Sequence, residues 1–328
     1  VRFRDVLGQD RAIDGLARAV RGGHVPHAYL FEGPPGVGKR ATAHGLALAL
    51  ACAQEPGAGC GACETCRRID ADLHPDVPTF APDGPQIVIE QVKAIVALAQ
   101  SRPHEAPVRV VIVDDADAMN ASAANSLLKT LEEPAPNNHL VLCTSAPERL
   151  LPTIRSRTQR VRFRALGVEA LLAIGAAHGL DRARAETAVA LSDGSAARML
   201  TAAREDDGAA WDAIGRLRAA VATPGFSASM DVAAELGADK EGKAALPPIV
   251  ALLARLYRDA LVTAAGAPDL ALFADRAREL APLGTPRLAR ALAAVVEADT
   301  ALVANVNPTM LLERLLIELK RHDARRSS

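Results

Sequence analysis

Aromatic side chains are scarce: Phe, Trp and Tyr make up 3% of the 328 residues, against 49% hydrophobic residues overall. The apolar mass is Ala and Leu, which favours helix-rich packing. Charge of one sign is also missing. The formal net charge is −1, so wholesale electrostatic attachment to nucleic acid is not expected, which leaves room only for a local basic patch. No run of 18 apolar residues occurs, which argues against a membrane-spanning helix. The first 30 residues are charged and lack an apolar core segment, against a signal peptide. Cysteine is rare too. The five present are expected in the cytosol, as thiols or metal ligands rather than disulfides. The length suits two or three domains.

What is present is concentrated in a few motifs. Gly33–Arg40 reads GPPGVGKR, the phosphate-loop pattern G-x-x-x-x-G-K-[ST] up to its last letter. Gly33, Gly36 and Gly38 free backbone N–H groups for phosphate oxygens, and Lys39 reaches the outer phosphates. The final hydroxyl should ligate Mg²⁺, but Arg40 stands there, and a guanidinium has donors and no acceptor. The loop lies between a short apolar strand within Val25–Glu32 and an Ala/Leu-rich helix from Lys39 to about Ala53, as the motif requires. A Gly/Pro turn with a surface lysine is the plainer alternative.

Val108–Val113 is a β-branched run broken only by Arg109, the mark of a strand buried on both faces. Asp114-Asp115 closes it and fits a Walker B pair, in which the first carboxylate holds the metal and a following Glu orients water. Asp115 is one methylene short for that second task. A helix over Ser122–Glu133 and a buried strand over Leu140–Thr144 follow. Alternating strands and helices predict a parallel α/β sheet up to about residue 163. Short helices over Val168–Gly179 and Ala183–Leu191 come next. From about Asp206 to Arg325 the pattern is almost wholly helical, punctuated by the loop Gly237–Lys243 and by Pro247-Pro248.

Cys52, Cys60, Cys63 and Cys66 are spaced C-x₇-C-x₂-C-x₂-C. Four thiolates so placed can complete a tetrahedral zinc shell. An iron–sulfur cluster would use the same ligands, but nothing else points to redox work. Cys143, in a strand, reads as core. His27 and His74 are candidate ligands, but His27 lies beside a buried strand and reads as a packed histidine; Trp211 with the C-terminal Leu/Ala stripes reads as core. Arg157 sits among Arg155, Arg160, Arg162 and Arg164, which alone suggests no more than a basic face.

Taken together, Phe3–Ala12, His27–Lys39, the four-cysteine insert, NSLLKTLEEP at Asn125–Pro134 and Thr144–Thr158 resemble bacterial clamp-loader AAA+ subunits over about half the chain. The resemblance implies an α/β AAA+ domain at 1–163 with a zinc insert at 52–66, a small helical lid at 164–205, and an all-α collar at 206–328. Within this family the departures resemble the delta-prime stator of DNA polymerase III more than the gamma/tau motor. Arg40 and Asp115 depart from a motor site. The lid arginine of Gly194–Arg198 falls one position late, about 100° around a helix.

On that resemblance Ser156 and Arg157 match the arginine finger that a stator lends to a neighbouring ATPase, with Thr158 in place of the family's cysteine. Thr144 and Ser145 fall at the sensor-1 position. The expected partners are gamma/tau and delta subunits in a hetero-pentamer, and through them the sliding clamp and primed DNA. ATP and Mg²⁺ at the chain's own loop are doubtful. The alternatives are an active gamma/tau-type motor, a structural interaction module without a catalytic contribution, and a AAA+ DNA-repair ATPase.

Overall fold

In a computed structural model of the protein, the described residues are 1–84, 86–133, 135–204, 208–237, 240–303 and 307–323. The chain divides into two compact units, one comprising Val1–Ala170 with Gly194–Ala197, the other Leu171–Asp193 with Arg198–Ser328.

The first unit is built on five parallel strands: β1 (Ala28–Glu32), β2 (Thr79–Phe80), β3 (Arg109–Val113), β4 (Asn138–Thr144) and β5 (Gln159–Arg162), in the order β2-β3-β4-β1-β5. The helices α1 (Asp10–Arg21), α2 (Lys39–Ala51), α3 (Glu64–Asp70), α4 (Ile89–Gln100), α5 (Ala121–Glu132) and α6 (Pro152–Ser156) interleave with them. The central strands are buried on both faces, as their apolar runs require. One face carries Leu30, Val111, Val113, Leu140 and Leu142, packed against Val92 and Ile95 of α4 and Leu127 of α5. Helix α2 packs on the sheet through β3 and β4 and is buried along almost its whole length. Because strand follows helix with every strand parallel, all C-terminal strand ends lie on one edge, where an open α/β sheet places its ligands. This is the parallel α/β sheet that the alternating strand and helix pattern predicts.

The sequence pattern missed β2 and β5. β2 is two residues long, and β5 is an edge strand of alternating arginine. It also gave no reason for Arg109. That side chain is buried and pairs with the fully buried Asp76 at 2.8 Å, while Asp76 takes the backbone N–H groups of His104, Glu105 and Ala106.

The second unit is helical among its described residues. It includes α8 (Arg182–Ala190), most of α9 (Ala196–Ala202), α10 (Gly208–Ala222), α11 (Ser227–Gly237), α12 (Lys240–Ala264), α13 (Ala274–Leu280), α14 (Thr285–Val303) and α15 (Pro308–Asp323); α7 (Val168–Ala177) leads into it. The expected break at Pro247-Pro248 does not occur, because both prolines lie inside α12. Leu246, Ile249, Val250, Leu253, Leu256, Tyr257 and Ala260 are buried along the same helix, and burial at ~1.5–3 kcal/mol per large side chain outweighs the ~3 kcal/mol of an interior proline.

Of the expected loop Gly237–Lys243, residues 238–239 lie outside the described residues, and the chain is helical again from Lys240. Pro134 of the NSLLKTLEEP segment, the boundary at Asp206 and the end near Arg325 also lie outside them. Trp211 is half-buried, edge-on to Phe273 at 4.9 Å with Arg276 over its ring at 4.1 Å. Among the described residues no helix is long and apolar enough to cross a membrane.

Candidate functional site: the phosphate loop and the arginine after β4

The loop leaves β1 at Glu32 and enters α2 at Lys39. Gly33 has φ 152° and Gly36 φ 70°. A Cβ on Gly33 would lie 2.3 Å from the Phe163 carbonyl oxygen, and one on Gly36 would lie 2.2 Å from Ser195 Oγ. Both positions therefore need glycine for space as well as for dihedral angle. Gly38 caps α2 in the left-handed region. The N-terminal end of α9 sits against the loop, with the Ala196 N–H donating to the Gly36 carbonyl at 2.9 Å.

Lys39 is buried, and its Nζ donates to the Gly33 and Pro34 carbonyls, each at 2.7 Å. Burial lowers its pKa, while Cys143 and the carboxylates of Asp114, Asp115 and Asp117 work the other way. Asp114 is fixed where β3 ends, its N–H donating to the Phe80 carbonyl at 2.7 Å. Asp115 follows in the left-handed region at φ 47°. Desolvation, then Asp114 and Asp117, raise its carboxyl pKa. Lys39, Arg40, Asp114 and Asp115 line one cavity of about 360 Å³ with the glycines Gly36 and Gly38. A larger cavity, about 700 Å³, runs beside α1 and β5 and holds none of these groups; the chemistry, not the volume, marks the site.

Thr144, at the end of β4, is fully buried, and its hydroxyl donates to Asp117 Oδ1 at 2.5 Å. Asp117 also takes the Ser145 N–H at 3.3 Å. Asp117 thus orients the Thr144 hydroxyl. The sequence reading passed over it, although it is the third acid of the run DDAD that follows β3.

Arg40 is exposed and pairs with Asp72 at 3.0 Å. Thr42, the next hydroxyl along α2, cannot take over as metal ligand. It is fully buried and donates to the Gly38 carbonyl at 2.8 Å. Two carboxylates therefore share the cavity with the loop, while a cation stands where the hydroxyl ligand of a Mg²⁺ site would be. Those residues do not fit the metal that the fold family implies.

Arg157 follows α6 directly and is half-buried. It pairs with Glu132 at the end of α5 at 2.7 Å and donates to the Thr153 carbonyl at 3.2 Å. Thr158 is buried, its hydroxyl donating to the Ile154 and Arg155 carbonyls. Arg160 and Arg162 both pair with the buried Glu32. In the second unit, Arg198 pairs with Asp193 at 2.6 Å.

The four cysteines converge, with ligand atoms all within 4.8 Å of one another. Cys52 Sγ lies 4.0 Å from Cys63 Sγ, and Cys60 Sγ 3.8 Å from Cys66 Sγ. Backbone N–H groups of Glu55, Cys60, Ala62, Cys63 and Cys66 donate to these sulfurs. Burial pushes the Cys52 thiol up, but the N–H groups of Cys60 and Glu55 help bring it down to about 6. The cluster could hold a metal ion. Cys143 is buried in β4, as expected. His74 is buried beside Glu105 at 3.4 Å. His27 is exposed rather than packed, with Nε2 at 3.0 Å from the Leu131 carbonyl.

A family model described as DNA polymerase III, delta subunit, matches residues 8–167. The delta-prime subunit of DNA polymerase III from Bacillus subtilis (strain 168) is 39% identical over 163 residues, 50% of this chain and 50% of that one. The delta-prime subunit from Pseudomonas aeruginosa is 42% identical over 134 residues, 40% of this chain and 41% of its own. The gamma/tau subunit from Mycobacterium bovis is 37% identical over 166 residues, 50% of this chain and 29% of its own. The chain spans half or less of the length of these relatives. Through residues 8–167, which hold the phosphate loop, the four cysteines and Arg157, the chain belongs to the delta-prime/clamp-loader family of DNA polymerase III.

Proposed function

We propose that the chain is a delta-prime-type stator of a replicative clamp loader, lending Arg157 to the ATP site of a neighbouring motor subunit. The observation that carries this reading is the contrast between two arginines. Arg40 stands where a motor needs a metal-ligating hydroxyl, whereas Arg157 directly follows a short helix, its guanidinium held by Glu132 and the Thr153 carbonyl while the side chain stays partly open to solvent. A guanidinium delivered in trans stabilises charge on a transferring phosphoryl group. Its planar donors suit phosphate oxygens better than an ammonium would.

In this reading gamma/tau subunits bind ATP and, with delta, grip and open the clamp. The ring encloses primed DNA, and hydrolysis releases the closed clamp. The present chain supplies Arg157 and a rigid edge, the helices of 164–205 serve as lid, and those beyond serve as collar. Cys52, Cys60, Cys63 and Cys66 hold a structural zinc ion. A Zn–S bond of about 2.3 Å in a tetrahedron separates sulfurs by about 3.8 Å, close to the two spacings above. The test is reconstitution with motor subunits, delta and clamp, followed by clamp-stimulated ATPase and clamp loading with Arg157→Ala. A rate unchanged from wild type overturns the assignment.

One set of contacts favours a second reading, an active gamma/tau-type motor. Lys39 and Asp114 line the loop's cavity, and Thr144, its hydroxyl held by Asp117, accepts the Gly33 N–H at its carbonyl. ATP turnover by the isolated chain, abolished by Lys39→Ala, would select it.

A further inference from the structure

The misfit between the loop and Mg²⁺ has a chemical consequence. A phosphate loop that has lost its metal ligand through Ala or Gly would hold the cation less well and gain no charge in exchange. This one has gained a guanidinium on the same cavity wall as Lys39. We propose that the loop binds a nucleoside di- or triphosphate without a divalent cation, with the Arg40 guanidinium taking the cation's place beside the outer phosphates. This goes beyond the role of Arg157 and stands or falls separately from it.

Three features support the assignment. The cradle is intact: Gly33 and Gly36 have conformations and close contacts that other residues cannot match, and Lys39 is buried at its centre. The same cavity contains Asp114 and Asp115, which would repel a polyphosphate unless a positive charge stands between. In a metal-dependent loop that charge is Mg²⁺; here the charge present is Arg40, whose fork of donors matches two phosphate oxygens at once.

The arm is also free to move. Arg40 is exposed and makes its ion pair with Asp72, itself an exposed carboxylate. Asp72 keeps other partners when Arg40 departs, since it accepts from Thr79 Oγ1 at 3.1 Å and lies 3.3 Å from His44 Nε2. Exposed ion pairs contribute ~1 kcal/mol or less, so exchanging a carboxylate for a phosphate meets little resistance. Asp72 acts as the resting place of the guanidinium.

The experiment is a titration of the full chain with fluorescently labelled ADP and with ATP, followed by anisotropy and calorimetry, in excess EDTA and in excess Mg²⁺. Wild-type affinity should agree between the two conditions within about threefold. Lys39→Ala should abolish binding in both. Arg40→Thr, which restores the usual loop, should weaken binding in EDTA by about tenfold or more and recover it when Mg²⁺ is added. Thermal melts establish that each variant is folded. Binding by the wild type only when Mg²⁺ is present, no binding at millimolar nucleotide, or an Arg40→Thr variant as tight as wild type in EDTA would each overturn the proposal.

Discussion

The guanidinium of Arg157 lies 2.7 Å from the carboxylate of Glu132, and both side chains remain accessible to solvent at 36% and 50%. The pair joins the end of α5 to the residue after α6. Its exposure makes it worth ~1 kcal/mol or less to folding. Arg157→Ala should therefore melt within a degree or two of wild type, yet lower the ATPase of a reconstituted clamp loader by about 10³-fold if it works as a trans arginine. Steady-state ATPase of the complex, with circular dichroism of the isolated chain, checks both halves.

Glu132 separates two roles for that contact. If it only rests the guanidinium, Glu132→Gln leaves the assembled ATPase at or above the wild-type rate, because the arginine no longer leaves a carboxylate to meet a phosphate. If it aims the guanidinium, Glu132→Gln loses activity as Arg157→Ala does. We expect the first outcome, since Arg157 keeps the Thr153 carbonyl as a second anchor. Side-by-side rates of the two variants in the same reconstitution decide.

The four-cysteine insert should carry one equivalent of zinc, measurable by elemental analysis of the purified chain. Thiolate ligands tie metal binding to folding. A strong chelator, or Cys66→Ser at the most buried of the four sulfurs, should lower Tm by about 5 °C or more. The insert follows α2, whose N-terminus is the phosphate loop, so the same treatment should weaken nucleotide binding less than Lys39→Ala does. A metal-free chain with an unchanged Tm after chelation would remove the zinc assignment.

What could be read from the sequence was what a few adjacent residues impose. Phosphate geometry dictates the spacing of Gly33, Gly36, Gly38 and Lys39, and the strand before them and the helix after them appeared as expected. Four sulfurs around one centre dictate the cysteine spacing in the same way. Contacts made through the fold were hidden. Nothing near Arg40 points to Asp72, 32 residues away. Arg109 looked like an interruption of an apolar strand because its partner Asp76 lies 33 residues earlier. Asp117 carried a signal in the DDAD run, but its link to Thr144 spans 27 residues and depends on neighbouring strands. The prolines of α12 misled for the opposite reason: a local rule was outweighed by burial along the rest of the helix.

Asp76 gives the chain an acid-sensitive joint. Burial works against its charge, but the N–H groups of Ala106, Glu105 and His104 and the Arg109 guanidinium hold its pKa at about 2, against an ordinary value of 3.8. A depressed carboxyl pKa means that the unfolded chain binds the proton more readily. The stabilisation is therefore complete above about pH 4 and is lost as pH falls toward 2, amounting to about 2 kcal/mol. Asp76→Asn should remove this part of the acid dependence. It should also cost about 3–5 kcal/mol at neutral pH, because Arg109 is left buried without its counter-charge. Urea unfolding at a series of pH values, wild type against variant, measures both.

Pro247 is exposed on a helix whose apolar face is otherwise buried. It lacks the N–H that would reach back one turn, and its ring crowds the preceding carbonyl. No buried packing is lost when an exposed ring is removed. Pro247→Ala should therefore stabilise the protein by about 1–3 kcal/mol through the restored hydrogen bond and the better helix former. Part of that gain is offset by the greater freedom of the unfolded chain. The same change at the half-buried Pro248 should gain less, since its ring is partly packed. Denaturant midpoints of the two single variants give the order. A loss of stability in Pro247→Ala would mean that the proline sets a bend on which the packing of α12 depends.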